Sequence, residues 1–247
     1  MPRPVDARAR YEPALDGIRA IAVLAVVGYH LEAPGFGGGL LGVGVFFTLS
    51  GFLITSLLLS EEQRHHHIDA PAFYTRRARR LLPASLLCLT GVSVMAGLGW
   101  FKGVANLRRD VLGALFQVFN WVKLGAGESY ADLTASQAGF RKPLDHYWSL
   151  AIEEQFYWIW PVAFLGLMWV GRRFRLRPVV IVGGLTAVAV VAAPVIAAVW
   201  GHDVVYFATP ARICEILMGA LAACWLHGRD TSQRWAPLAP VGLGALA

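Results

Sequence analysis

Six mostly apolar runs, at residues 14–32, 39–60, 81–101, 148–170, 178–200 and 207–227, constrain this chain more than any other feature. A helix that crosses a bilayer needs about 20 predominantly apolar residues, and each run is long enough to qualify. Composition agrees. Only 15% of the residues are charged, where a soluble domain carries about a quarter. The expected fold is therefore all-α, a polytopic integral membrane helix bundle of six or seven spans, read as one membrane domain over residues 1–247. A seventh apolar run, 111–124, is short and contains Gln117 and Asn120, so we expect it to be re-entrant rather than to cross. The chain closes on VGLGALA, which reads as the opening of a further span, so later spans are expected to be missing.

Charge orders the loops. The net charge is +6, carried mainly by arginine, in groups at Arg3, Arg8 and Arg10, at Arg76, Arg77, Arg79 and Arg80, at Arg172, Arg173, Arg175 and Arg177, and at Arg229 and Arg234. Basic residues flanking spans collect on the cytoplasmic side. This predicts a multi-pass protein of the cell membrane with a cytoplasmic N-terminus, and it explains the basic balance without a nucleic-acid partner. The first apolar run lacks a following small-residue cleavage site and reads as a retained span, not a removed signal. Cys88, Cys214 and Cys224 lie in apolar segments without metal-ligand spacing and read as small buried hydrophobes. The histidines 65–67 read as a solvated polar loop. No metal site is expected.

Four constellations interrupt the apolar runs. In LDGIRAIAVLAVVGYH, Arg19 and His30 are eleven residues apart. On an ideal helix that is about 1100° of rotation and about 16 Å of rise, so the two share a face but do not touch. Asp16 sits one turn before Arg19 and is placed to pair with it. Ionisable groups inside a span usually face a bundle interior or a wet cavity. The alternative is a snorkelling arginine and a satisfied core histidine. In FYTRRARRLLP, the arginines act either as a topology anchor or as an anion site, since guanidinium groups grip phosphate bidentately. In DHYWSLAIEEQFYWIWP, Glu153 and Tyr157 share a helix face while Glu154 points elsewhere, and His146 and Trp148 flank the acids. In TPARICEILMGALAA, Arg212 and Glu215 lie three apart and are expected to pair. Ser50, among Gly42, Gly44 and Gly51 in VGVFFTLSGFLI, is a weak nucleophile candidate in a segment whose small residues suit close helix packing.

In this order, these stretches resemble the membrane-bound acyltransferase 3 family, the O-acyltransferases of sugars and cell-envelope polymers. The resemblance covers nearly the whole chain. It implies that Arg19 and His30 are the family's signature arginine and histidine. It matches Arg77 and Arg80 to the pair thought to contact the acyl-CoA donor. Ser50, Trp148, Tyr157, Arg212 and Glu215 fall on its supporting motif positions, and Glu153 on its acidic position. It further implies a membrane O-acyltransferase that moves an acyl group, acetyl by expectation, from acyl-CoA to a hydroxyl of a carbohydrate or glycan-lipid acceptor in contact with membrane lipid, with no bound cofactor. His30 would act as general base, since an unperturbed histidine titrates near neutrality; an acyl-histidine relay is a variant. Arg19 would stabilise charge near the donor, and Glu153 would orient His30 or the acceptor. Intramembrane His, Glu and Arg are also what proton relays use, so a proton-coupled carrier is the rival reading.

Overall fold

The computed structural model describes residues 13–65, 67–128, 142–227 and 229. Arg3, Arg8 and Arg10, His66, Arg234 and the closing VGLGALA lie outside the described residues. Among those described, every regular element is a helix: α1 (Pro13–His30), α2 (Leu41–His65), α3 (Ala70–Gly97), α4 (Leu107–Leu115), α5 (Phe119–Gly125), α6 (Tyr147–Phe174), α7 (Pro178–Trp200), α8 (His202–Phe207) and α9 (Thr209–Leu226).

Four of these helices, α2, α3, α7 and α9, are long and apolar enough to cross a membrane. This corrects the expected six or seven spans. The reason lies in polar residues within the apolar runs. At 18 residues α1 is as long as α9, but Asp16, Arg19 and His30 lower its apolar average. The longer α6 carries Glu153, Glu154 and Gln155 in succession. The run 111–124 divides into α4 and α5 across a turn at Gln117, whose φ of 57° is left-handed. Neither half is long enough to cross.

The third helix begins well before the expected span at 81. Asp69 caps it by accepting a hydrogen bond from the Ala72 amide at 2.9 Å, and Pro71 occupies its first turn, where a missing N–H costs nothing. The arginines 76–80 therefore stand on α3 itself, not on a loop ahead of it. Pro83 lies inside the helix without ending it.

The core forms where α2, α6 and α9 meet. Phe47, Ile54 and Leu58 of α2 pack with Ile152, Phe156 and Phe164 of α6 and with Ile216 and Ala220 of α9. Glycine sets the approach of α2 to α9. A methyl group on Gly51 would overlap the Ile216 carbonyl oxygen, and one on Gly219 would overlap the Thr48 carbonyl oxygen. The Thr48 hydroxyl lies 3.1 Å from the Glu215 carbonyl oxygen, tying the same two backbones. By contrast, α3 and α7 turn much of their apolar surface outward, through Leu86, Leu87 and Val94 and through Val188, Val191 and Val199. Such faces are a liability in water and suit lipid.

A polar network fixes the α4–α5 turn. The Gln155 amide nitrogen donates to the Gln117 carbonyl at 2.8 Å and to Asn120 Oδ1 at 2.9 Å, and the Thr209 hydroxyl donates to Gln155 Oε1 at 2.6 Å. Fully buried Asn120 donates to the Phe207 carbonyl at 2.9 Å. A buried amide without these partners would cost about 1–3 kcal/mol. Gln117 and Asn120, read as marks against a crossing, thus hold a turn against α6 and α9.

Candidate active site

Two cavities lie on either side of the contacts that Ser50 and Tyr157 make with Glu153. The larger, of about 720 Å³, lies between α1, α2 and α3 and is lined by Arg19, Arg64, Arg76, Arg77 and Arg80, with Asp16 and Glu61 as its acids. Asp16 pairs with Arg19 at 3.6 Å and Glu61 with Arg76 at 3.7 Å. Three of the five guanidinium groups are ion-paired, Arg77 to Glu154 outside the cavity lining, and the wall remains basic. Arg77 and Arg80 reach it together because they are three apart on α3, hence on one side of the helix.

The smaller cavity, of about 230 Å³, is lined by His30, Asp145, His146, Trp148, Glu153 and Tyr206, with Val43 and Phe46 of α2. Arg19 and His30 therefore open into different cavities. The rise along α1 that separates them on the sequence separates them in the fold.

Between the cavities stands a hydrogen-bonded partition. Ser50 donates to Glu153 Oε2 at 2.6 Å, and the Tyr157 hydroxyl donates to the same oxygen at 2.9 Å. Both Ser50 and Tyr157 face the larger cavity, while Glu153 faces the smaller. Ser50 has its hydroxyl committed to a carboxylate in an otherwise apolar, 6% exposed position. That bond suits a structural donor better than a free nucleophile. The positive charges of Arg77 and Arg19 act on Glu153 from the larger cavity.

Arg77 differs from Arg80 in its surroundings. It pairs with Glu154 at 3.1 Å and its guanidinium carbon lies 3.6 Å from the Tyr157 ring centroid, a stacked cation–π geometry. Arg80 is exposed on the cavity wall. Glu154 is thus the counter-ion of Arg77. Nothing in the sequence alone marked that pairing.

Arg212 and Glu215 pair at 2.9 Å. The Arg212 guanidinium also sits 5.3 Å from the Phe47 ring, 6.0 Å from Trp148 and 5.6 Å from Tyr206. Two of these rings line the smaller cavity, so Arg212 props its wall. Trp148 packs against Phe47 and Phe207 at centroid distances of 6.2 and 5.6 Å. The structure brings Ser50, Arg77, Trp148, Glu153, Tyr157, Arg212 and Glu215 into one connected assembly, with His30 at one end and Arg19 and Arg80 at the other.

A cluster that sequence reading missed braces the segment ahead of α6. Lys123, 1% exposed, binds Glu128 Oε2 at 2.6 Å and Asp145 Oδ1 at 2.5 Å, and Lys142 binds Glu128 at 2.8 Å. Burial pushes the Glu128 carboxyl up. The hydrogen bonds and charges of Lys123 and Lys142 outweigh this and hold it below the ordinary carboxylate range. The available sequence signal was a lysine inside the apolar run 111–124, since such a residue is costly there unless paired.

The comparisons with known proteins bear on this arrangement. A family model for the acyltransferase 3 group, described as an acyltransferase domain, matches residues 12–247. The chain is 38% identical over 231 residues to "Peptidoglycan O-acetyltransferase OatA" of Listeria monocytogenes, covering 89% of this chain and 35% of that protein. It is 37% identical over 218 residues to "O-acetyltransferase OatA" of Staphylococcus aureus strain NCTC 8325, covering 87% of this chain and 34% of that protein. This chain thus spans about a third of the length of the relatives it matches. No solved structure matches it. None of these relatives is a carrier by name, and the carrier reading gains no support. A match over nearly the full length, joined to an all-helical architecture with four helices fit to cross a membrane, places this chain in the acyltransferase 3 family of membrane acyltransferases.

Proposed function

We propose that this chain transfers an acetyl group from acetyl-CoA to a hydroxyl of a cell-envelope carbohydrate, with peptidoglycan, named in a relative, as the first acceptor to test. The observation that carries the reading is the pair of adjoining cavities, one walled by Arg19, Arg77 and Arg80 and the other by His30 and Glu153. Phosphate groups of the donor fit the arginine wall by charge and by guanidinium geometry. The thioester end then extends past Ser50, Glu153 and Tyr157 toward His30.

The chemistry follows from that placement. His30 takes the proton of the acceptor hydroxyl as its oxygen attacks the thioester carbonyl carbon. The carbon–oxygen bond forms, the carbon–sulfur bond breaks, and the departing thiolate of CoA receives the proton. A positioned general base contributes about 10²–10⁴-fold to such a step. Arg19 is suited to the negative charge at the donor end, since it opens into the larger cavity and not beside His30. Glu153, held by two hydroxyl donors, presents its carboxyl group to the acceptor side.

Membranes containing the chain, incubated with radiolabelled acetyl-CoA and peptidoglycan, test this. Label is expected in muropeptides released from the parent reaction, with a loss of at least 100-fold for His30→Ala in a protein that still inserts. Absence of label in every envelope carbohydrate, or full transfer by His30→Ala, overturns the reading.

A further inference from the structure

The His30 cavity holds a second imidazole. The rings of His30 and His146 lie 4.9 Å apart between centroids, at 77°, edge to face. His146 comes from the segment just ahead of α6, far from α1 in sequence, so the tertiary fold makes this contact. His146 also borders the apolar crevice between α3 and α6, of about 730 Å³. It therefore stands where the His30 cavity meets a second open space.

The backbone under His146 is braced on both sides. Ser149 donates its hydroxyl to the His146 carbonyl at 3.2 Å. Asp145, the preceding residue, is held by buried Lys123, which Glu128 also grips. An ion-paired lysine that is 1% exposed is an expensive anchor, and here it fixes the residue before His146, which is itself exposed where it lines the cavity. Pre-organising a group beside a base is the kind of role that such supporting contacts serve.

We propose that His146 is a positioning residue for the reaction above: its ring holds the His30 imidazole in register, and its unprotonated nitrogen, as an acceptor, favours the imidazolium that forms when His30 takes the hydroxyl proton. This rests on the proposed acetyl transfer with His30 as base. The proton moves from the acceptor hydroxyl to His30 and then to the departing thiolate. His146 gives up no proton of its own and forms no covalent bond.

Two substitutions separate a nitrogen-dependent role from packing. His146→Phe keeps a ring edge-on to His30 and removes both nitrogens. His146→Gln gives up the ring and restores hydrogen-bonding capacity. Transfer of label from acetyl-CoA is measured for the full chain in membranes, with kcat and donor KM determined separately and insertion verified by yield. The expected result is a fall in kcat of at least tenfold for His146→Phe with donor KM unchanged, and a kcat within about threefold of the parent for His146→Gln. An active parent with a fully active His146→Phe, or with a loss confined to KM, overturns the assignment alone. An active parent in which His146→Gln falls as far as His146→Phe also overturns it, since the bracing would then be structural. An inactive parent overturns the acetyl-transfer reading, and this one with it.

Discussion

Arg77 and Arg80 are matched in sequence but not in surroundings, and the difference is measurable. Arg77 neutralises Glu154, whose side chain is 9% exposed, and stacks on Tyr157. Removing one partner of a buried ion pair strands the other charge and costs on the order of 3 kcal/mol. Arg77→Ala is therefore expected to lower stability in detergent by that amount, read from denaturant titration. Adding Glu154→Gln to it should recover most of the loss. Arg80→Ala, on an exposed wall, should leave stability within about 0.5 kcal/mol and raise the donor KM severalfold. Equal destabilisation by both alanine variants would refute the distinction. The spacing of the two arginines was legible as a shared helix side. Their division of labour was not, because Glu154 and Tyr157 reach Arg77 across more than seventy residues of chain.

At the scale of the element, the contact between α2 and α9 depends on what is absent. Gly51 and Gly219 let two backbones approach until carbonyl oxygens occupy the space that side chains would take. The obstruction is backbone, not a flexible side-chain tip, so it yields only by moving a helix. Gly51→Val is expected to destabilise the bundle by about 3 kcal/mol or more, to separate α2 from α9, and to pull Ser50 from Glu153. A fluorescence-monitored unfolding series in detergent would show it, and an unchanged midpoint would rule out tight packing there. Small residues in VGVFFTLSGFLI pointed to close packing from the sequence, although the partner helix did not follow from it. The start of α3 was missed for a local reason. Apolarity set the expected boundary at residue 81, whereas the Asp69 cap and Pro71 start the helix eleven residues earlier, and capping is blind to lipid.

At the scale of the whole molecule, the brace at Lys123 links the α5 end, the Glu128 turn and the approach to α6. Its stability responds to acid. Glu128 titrates below the ordinary carboxylate range when folded, so the folded state binds fewer protons than the unfolded state between the two values. Stability is then fully present above the unfolded carboxylate value and is lost as pH falls through the folded one. Glu128→Gln should flatten the acid limb of a stability–pH curve and lower the plateau near neutrality, measured by thermal unfolding across pH 3–7. An acid limb that keeps the parent slope would show that other carboxylates carry it. The same brace holds Asp145, the residue before His146, whose ring lies 4.9 Å from that of His30.

What the sequence determined by itself was the solvent and the element type. Long apolar runs with so little charge admit helices in lipid and little else, because every backbone polar group must be satisfied within the segment. It also determined that Arg19 and His30 lie about three turns apart on one face, since helix geometry is independent of context. What only the tertiary structure decided was the number of helices fit to cross and the assignment of each charge to a partner. Ser50 met Glu153, Arg77 met Glu154, Lys123 met Asp145, and His146 met His30. The physical reason is that a charge or a hydroxyl in an apolar setting takes whichever partner packing delivers to it. Packing between distant helices is set by shape, through residues such as Gly51, and not by spacing along the chain.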